Sequence, residues 1–469
     1  MHKFNYRNCQ RNRKCGIDGR LTLFLSRQKG QHHIINLFDD LPGNNSTHGD
    51  MIRKQYCDIF ISGGGLAGLI TAISVADKFS KIICCDSSLD FDLDSSDLPP
   101  DKRVTALFNS SLDYLANLIP LETLLSNCGK RLSEIQIVEA GENCKLIQTT
   151  SFKSHSMGRE QFGWLIPNEN LRKVLIAEVL QNPRITTLPK NGVEKVITRT
   201  KEAHVFLSNG DRVVSRLLIG ADGMNSRVRA TLGINTNRIN LPQSGITFNV
   251  RHQLPISHKS IEIYKSGGPF TIIPLPGENE YSSNIIWMDS DRNIDIYSHM
   301  DSDRFTLEVM KRSLGMVGDI EIVSPLSKWS GTYQMANKLS HERAVLIAEA
   351  AHNLPPIGAQ GLNLTINDIK MLNGYLAKSE DPGDCKVLNG YCSTRYLPTL
   401  LKFVGTNFLN VMSFSNILPF KLIRKGGTKV FANNRQLQSM LIKFGLGEGL
   451  FDLKPFHGKN KVFNDRLRG

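Results

Sequence analysis

The chain is short of four things. Among its 469 residues no cysteine pair has CxxC spacing, and the nine cysteines are odd in number, with Cys84 and Cys85 adjacent. That argues against a disulfide framework or a zinc site and for a reducing compartment. The cysteines read most simply as reduced small hydrophobes or surface thiols. No apolar run reaches the length of a bilayer-spanning helix. No internal repeat is seen. Basic charge is also missing where a nucleic-acid surface would need it. The net charge of +13 sits at the ends: residues 1–54 carry ten Lys/Arg against four Asp/Glu, and residues 401–469 carry twelve against three, leaving 55–400 at about −2. A near-neutral body with basic ends gives no nucleic-acid partner. It suits a loosely held anionic partner, of which a phospholipid surface is one candidate. The expected location is the cytoplasm, with a peripheral position on the inner membrane beside it.

What is present begins with length, which favours two domains and a third small element. Residues 1–50 alternate polar, basic and Gly/Asn-rich stretches, and LTLFL and HHIINLF are too short for a signal-peptide core. Met51 stands six residues before CDIFISGGG and is the expected natural start, with a poorly ordered segment ahead of it. An Arg-rich organelle-targeting peptide is the alternative reading, with Asp39 and Asp40 counting against it.

From Cys57 the order is strand, glycine turn, helix, strand: CDIFIS, then GLAGLITAISVADKF, then KIICCD. That is a βαβ opening. A helix is expected at 168–183, followed by a run of strands with a hairpin turn at Asn209-Gly210. Residues 245–290 alternate apolar and polar residues between turns, which suits an antiparallel sheet with one covered face. RAVLIAEAAH is another buried strand, followed by a loop and the helix LNLTINDIKMLNGYLA. The tail from 401 reads as amphipathic helix, broken by Pro419 and Gly426-Gly427.

Three motifs carry chemistry. Gly63, Gly65 and Gly68 form GxGxxG between a strand and a helix, and Asp86 ends the next strand eighteen residues after Gly68. The glycines give a tight turn, close backbone approach to a pyrophosphate, and close helix–strand packing, while the carboxylate can accept ribose hydroxyls. A glycine-rich turn with a surface aspartate is the bland alternative, and the motif does not choose between NAD and FAD. RLLIGADGMNSRVR (216–229) brings Asp222 to a strand end, where a ligand residue and an Asp-Gly turn with an Asn/Ser helix cap are both open. AEAAHNLPPIGAQGLN (348–363) packs Glu349, His352, Pro355-Pro356, Gly358, Gln360 and Gly361 into sixteen residues ahead of a helix start at Leu362-Asn363. Exposed amides at a helix start favour negative charge, as on the N1–C2=O edge of a reduced flavin. The turn is therefore read as a flavin seat with Glu349 reaching a ribityl hydroxyl, against a Pro-rich connection into a core helix.

On these residues the chain resembles the flavin-dependent aromatic hydroxylases of ubiquinone biosynthesis, a branch of the class A flavoprotein monooxygenases with the para-hydroxybenzoate hydroxylase fold. The resemblance covers about residues 55–400. Gly63, Gly65, Gly68 and Asp86 match the first family motif. Asp101, Arg103, Ala106 and Leu107 match its D-x-R-x-x-A-L segment, which implies Arg103 near the FAD phosphates or ribityl chain. Gly220 to Gly223 match its G-A-D-G motif, implying that Asp222 helps bind FAD and guide NAD(P)H. Glu349 to His352, Pro356 and Gln360-Gly361-Leu362-Asn363 match its flavin-loop motif. Ala348 and Glu349 stand where the family has Gly-Asp, and Ala359 where it has glycine, so a small shift of flavin or loop is expected.

The resemblance implies an α/β fold: a Rossmann-like FAD-binding domain (55–244 and 330–400), an antiparallel-sheet substrate domain (245–329, with part of 111–160), a basic N-terminal extension (1–54) and a basic helical C-terminal region (401–469). It implies FAD as cofactor, NAD(P)H and O₂ as co-substrates, and a polyprenylated phenol as substrate, with membrane contact and other quinone-biosynthesis proteins as partners. A hydroxylase of a soluble aromatic acid and a non-catalytic FAD-stabilised subunit are the alternatives. No catalytic base is named: His352 reads as a packing residue more readily than a base, and Trp287 and Phe270 as sheet packing more readily than ring contacts. The basic tail could dock on a membrane or cap the flavin domain.

Overall fold

The residues KQYCDIFIS extend as the strand Lys54–Ser62, with Ile59, Phe60 and Ile61 fully buried. Burial on both faces is what a central parallel strand covered by helices requires. In the computed structural model the described residues are 53–92, 101, 103–141, 146–265, 267–276 and 280–414, with a strand pair, Arg27–Gln28 and Gln31–His32, within 1–51. The expectations on Met51, the segment around it and the tail beyond 414 lie outside the described residues.

Lys54–Ser62 pairs in parallel with Ile82–Cys85 on one side and Arg212–Gly220 on the other. Ile185–Leu188 extends the sheet beyond Ile82–Cys85. The strand Arg212–Gly220 changes partner along its length. Its first half pairs antiparallel with Ala203–Leu207, and its last residues pair in parallel with Ala344–Leu346. The register then decides where the motifs go. Ser62 stands opposite Cys85 and Gly220, and Gly220 opposite Leu346. All three singled-out loops therefore leave one row at the carboxyl edge of the sheet, where ligands of such sheets bind. Helix Leu66–Ala76 packs between the helices Asn168–Gln181 and Gln360–Leu376.

The second sheet runs in the order His352–Asn353, Ser327–Ala336, Thr236–His252, Ser282–Ser290, Gly268–Pro274, Lys259–Lys265, Glu134–Ala140, Leu146–Lys153. It is antiparallel except where Glu134–Ala140 joins Lys259–Lys265 in parallel. That strand enters from the distant segment 130–153 rather than through a hairpin, so its direction is free. Period-two alternation divides the faces. Ile261, Ile263, Phe270, Ile272, Ile285 and Trp287 turn toward Ile294, Phe305 and Val309 on the helices Asp291–Ser298 and Ser302–Arg312. The opposite face looks into a large cavity.

A third, small sheet of Val104–Phe108, Gly163–Pro167 and Lys130–Leu132 adjoins it. The last described helix is Cys385–Phe414, sixteen residues earlier in its start than the expected helical tail, and it carries Pro398 in its interior. Val387, Leu388, Tyr391 and Phe403 pack inward, but the helix also buries polar groups and exposes apolar ones. Arg395, Thr399, Thr406, Asn407, Asn410 and Ser413 are buried, while Leu397, Leu401, Val404 and Phe408 are exposed.

Candidate functional site

The cavity between the two sheets measures about 1870 Å³. Its floor is built at the carboxyl edge of the parallel sheet. Gly63 sits at φ +112°, and a methyl group there would come within 2.3 Å of Ala221 O, so the turn needs glycine. Gly68 carries no space either, since a methyl there would stand 1.8 Å from Gly63 O. Gly65 differs: nothing lies within 4 Å of where its Cβ would be, and it lines the cavity. It is also the N-cap of helix Leu66–Ala76, whose first amides have no side-chain cap.

The loop 348–363 repeats this arrangement. Helix Gln360–Leu376 starts without a side-chain cap, Gly361 has nothing within 4 Å of its Cβ position, and Gln360, Gly361 and Leu362 line the cavity. Two uncapped helix starts thus open onto one space. Each presents orphan N–H groups and the positive end of a helix, the donor set that a pyrophosphate and an anionic flavin edge call for. The residues present fit FAD.

Side chains complete the floor. Asp86 lines the cavity and organises its own turn: Oδ2 accepts from the Gly64 N–H at 2.6 Å, and Oδ1 from the Ser88 and Leu89 N–H groups at 2.8 and 2.9 Å. Arg103 forks onto Asp101 with two 2.7 Å contacts, and Asp101 also accepts from Asn168 at 3.0 Å. Burial works to raise the Asp101 pKa, but Arg103 and Asn168 outweigh it and hold the carboxyl below its usual range. Asp101 and Glu349 in turn keep the Arg103 guanidinium charged. Glu349 is exposed to the cavity, in the short helix Ala348–Ala351.

Asp222 lines the cavity and caps a helix at once. It accepts from Ser226 Oγ at 2.5 Å and the Val228 N–H at 3.1 Å. Burial raises its pKa, with these bonds opposing. Pro356 also lines the cavity, whereas Gly68 and Asn363 do not. Asn363 is buried and bolts the loop to the small sheet: Oδ1 accepts from the Phe108 N–H at 3.0 Å and Ser111 Oγ at 2.8 Å, and Nδ2 donates to Ala106 O and Ala359 O at 2.8 Å each. Their places make Gly68 and Asn363 supports of the floor.

Two of the three departures from the family pattern fall at special backbone positions. Ala348 has φ +54° and Ala359 φ +52°, both in the left-handed region that favours glycine. The loop keeps its shape with alanine at some conformational cost.

His352 lies on the cavity wall but 2% exposed, and its Nε2 donates to Asp368 at 2.5 Å. Asp368 accepts from Arg395 Nε at 2.6 Å through its other oxygen. Burial would raise the Asp368 pKa, but Arg395 and His352 hold it below the ordinary value. His352 is thus one end of a buried hydrogen-bonded network that runs through Asp368 to Arg395. Trp287 and Phe270 are 1% and 0% exposed on the far face of the second sheet, edge to face with each other at 5.5 Å. They pack the sheet and do not reach the cavity.

The cavity face of that sheet holds residues that sequence reasoning passed over. Ser260, Glu262 and Tyr264 alternate along one strand, and Glu139 lies beside Tyr264 on the next. The signal was the alternation SIEIYK, in which the polar positions share a face; the depth of the space they face was not visible.

Comparison with known proteins gives the same direction. The family model described as FAD binding domain matches residues 152–397. The chain is 25% identical to the ubiquinone hydroxylase UbiL of Rhodospirillum rubrum over 84% of its own length and 90% of that protein. It is 22% identical to the 3-demethoxyubiquinol 3-hydroxylase of Escherichia coli, over 84% of this chain and 100% of that one. Among solved structures, p-nitrophenol 4-monooxygenase PnpA of Pseudomonas putida has a TM-score of 0.67 at 14% identity, covering 84% of this chain and 99% of that one, a likeness of fold. With its glycine turn, its paired open helix starts and this match over half its length, the chain belongs to the FAD binding domain family.

Proposed function

We propose that this protein is an FAD-dependent monooxygenase that hydroxylates the ring of a polyprenylated phenol in ubiquinone biosynthesis, using NAD(P)H and O₂. The observation that carries the reading is one cavity of about 1870 Å³ with two unlike walls. That volume exceeds the roughly 300–1,000 Å³ of a single small-ligand site, so a second ligand fits beside FAD. FAD, when bound, supplies hydride acceptance and oxygen activation. The chain does the rest. Gly63 and Gly65, with the helix start behind them, would receive the pyrophosphate. Asp86 would accept from the ribose, and Arg103 and Glu349 would flank the ribityl chain. Asp222 and Pro356 border the flavin seat, and the amides of Gly361 and Leu362 favour negative charge at its edge. The roof contributes Ile135, Ile137, Ile273 and Ile286, which exclude water from the space above.

The long apolar tail of the substrate has a route on the same molecule. Leu397, Leu401, Val404 and Phe408 form an exposed stripe at helical spacing on Cys385–Phe414, and Phe408, Leu409 and Met412 line the cavity. Among the described residues no helix is long and apolar enough to cross a membrane. A stripe of this kind, followed in sequence by a strongly basic end, supports peripheral contact with an anionic bilayer.

The test is reconstitution with FAD, then NAD(P)H oxidation with a prenylated phenol, with the product identified by mass. Phenol-dependent oxidation and gain of one oxygen atom are expected. Faster turnover of an aromatic acid makes this a soluble-substrate hydroxylase, and flavin binding without reduction makes it a non-catalytic subunit. For the membrane contact, Leu401→Ser with Val404→Ser is expected to lower sedimentation with anionic vesicles at least ~10-fold, the loss of two buried apolar side chains. Unchanged sedimentation would remove the stripe from the reading.

A further inference from the structure

The roof carries a carboxyl group that the flavin seat does not use. Glu262 lies on the strand Lys259–Lys265, opposite Thr271 on one neighbour and Ile137 on the other. With Ser260 and Tyr264 it faces the cavity. The hydroxyl of Tyr264 donates to Glu262 Oε2 at 2.9 Å, while no described residue donates to Oε1. One oxygen is therefore fixed by the protein and the other is left for a ligand. Burial pushes the Tyr264 hydroxyl well up, so it keeps its proton and remains a donor. Burial also raises the Glu262 carboxyl above its usual range, with the Tyr264 bond opposing.

Among the described residues, the strands on either side add acid and no cation. Glu139 is the charged group beside Tyr264 on the parallel neighbour strand, and Gly268–Pro274 on the other side carries no titratable side chain. Lys259 and Lys265 on the same strand are of opposite parity and do not line the cavity. Among the described residues the basic ones on the cavity wall are Arg103, Arg172, Arg227, Lys328 and His352, none on the strands that flank Glu262. Arg103 pairs with Asp101 and Lys328 with Asp295. Across the cavity the facing charges are those of the floor, Arg103 and Glu349 among them. A roof of this kind repels a carboxylate and accepts a hydrogen bond from a neutral hydroxyl.

We propose that Glu262 receives the hydrogen bond of the substrate's phenolic hydroxyl and takes its proton during hydroxylation, with Tyr264 as its positioning residue, so that the roof selects neutral phenols over aromatic acids. This rests on the hydroxylase reading above and names the base it lacks. The phenolic O–H bond breaks and an O–H bond forms on Oε1. The electron pair left on the phenolic oxygen enters the ring as a ring carbon takes up one oxygen atom from O₂, with NAD(P)H as reductant. That carbon then loses its hydrogen as a proton, which leaves with the second oxygen atom of O₂ as water, and Glu262 returns its own proton to the phenolic oxygen.

The experiment uses the full chain loaded with FAD, and para-pentylphenol and para-pentylbenzoate as probes. Binding is read from the flavin absorption spectrum and turnover from NAD(P)H oxidation and product mass. The parent is expected to bind the phenol at least ~10-fold more tightly than the benzoate, the scale of a group left with a like charge or an unpaired partner. Glu262→Gln is expected to keep its flavin and lose about 100-fold or more in kcat, the usual scale of general-base loss. A base works ionised, so kcat/KM of the parent falls as pH drops through the raised Glu262 pKa. That limb should vanish in Glu262→Gln, persist at reduced rate in Glu262→Asp, and move upward in Tyr264→Phe, which removes the opposing bond. Turnover of Glu262→Gln within a few-fold of the parent with its limb intact overturns the proposal, as does a parent that prefers the benzoate. If Glu262→Gln fails to hold flavin, an unmoved limb in Tyr264→Phe overturns it. A parent that binds FAD but neither binds nor turns over either probe defeats the hydroxylase reading, and this proposal with it.

Discussion

The floor and the roof of the cavity recognise by different means. The floor works with backbone: two uncapped helix starts, at Gly65 and at Ala359–Gly361, present N–H groups that no side chain satisfies. The roof works with side chains on a pleated face, where Ser260, Glu262 and Tyr264 share one side of a strand. A backbone site constrains residue type tightly, because φ angles and close approaches admit few residues. A side-chain site constrains only parity, because any residue can stand on a strand face. The floor accordingly turns helix-start N–H groups toward a phosphate-bearing cofactor, and the roof turns the carboxyl groups of Glu262 and Glu139 toward the cavity.

The largest expected effect lies beneath the floor. Asp368 joins His352 to Arg395 with all three side chains buried. Asp368→Asn leaves a buried guanidinium without its counter-charge and should cost about 3–5 kcal/mol, read by denaturant unfolding. Because the Asp368 pKa is held below the ordinary carboxylate value, its stabilisation is present above about pH 4 and lost as pH falls through the lowered pKa. The variant should therefore show a flatter acid limb of stability than the parent. An unchanged limb would mean that the loop carrying His352 is held by packing alone.

The next pair separates support from contact within the floor. Gly68→Ala drives a methyl to 1.8 Å from a backbone oxygen, a clash that no rotamer relieves, and should cost about 3 kcal/mol, the upper range of overpacking. Gly65→Ala meets nothing within 4 Å and should leave the unfolding midpoint of the FAD-free protein unchanged while weakening FAD binding. Equal loss of stability in the two would erase the distinction between a glycine that packs the sheet and one that faces the ligand.

The same contrast explains what could be read before the fold was known. The glycine turn, the strand ends at Asp86 and Asp222 and the loop 348–363 were legible because each breaks a local rule of composition, and one sheet row then gathers them. The helix expected at 168–183 forms as Asn168–Gln181. The Val104–Phe108 and Gly163–Pro167 pairing was not legible, because nothing local ties strands some sixty residues apart. The parallel insertion of Glu134–Ala140 escaped for the same reason. Glu262 and Tyr264 were written in plain alternation, but an alternating strand says which residues share a face and not whether that face meets water or a cavity.

The smallest effect tests how strictly backbone governs the floor. Ala348 and Ala359 hold positive φ where glycine would be at ease. A left-handed alanine costs roughly 1–2 kcal/mol. Glycine returns ~0.4–1 kcal/mol of that by widening the unfolded ensemble. Loss of a fully buried methyl takes up to ~0.8 kcal/mol more. Ala348 is 6% exposed, so these contributions nearly cancel and Ala348→Gly should be close to neutral. Ala359 is only half-buried, loses less, and should gain about 0.5 kcal/mol as glycine, by the same reckoning. Denaturant midpoints on the FAD-free protein measure both. A loss of stability in Ala359→Gly would mean that its methyl contact with the small sheet outweighs the backbone strain, and that side-chain packing sets this corner of the floor as well.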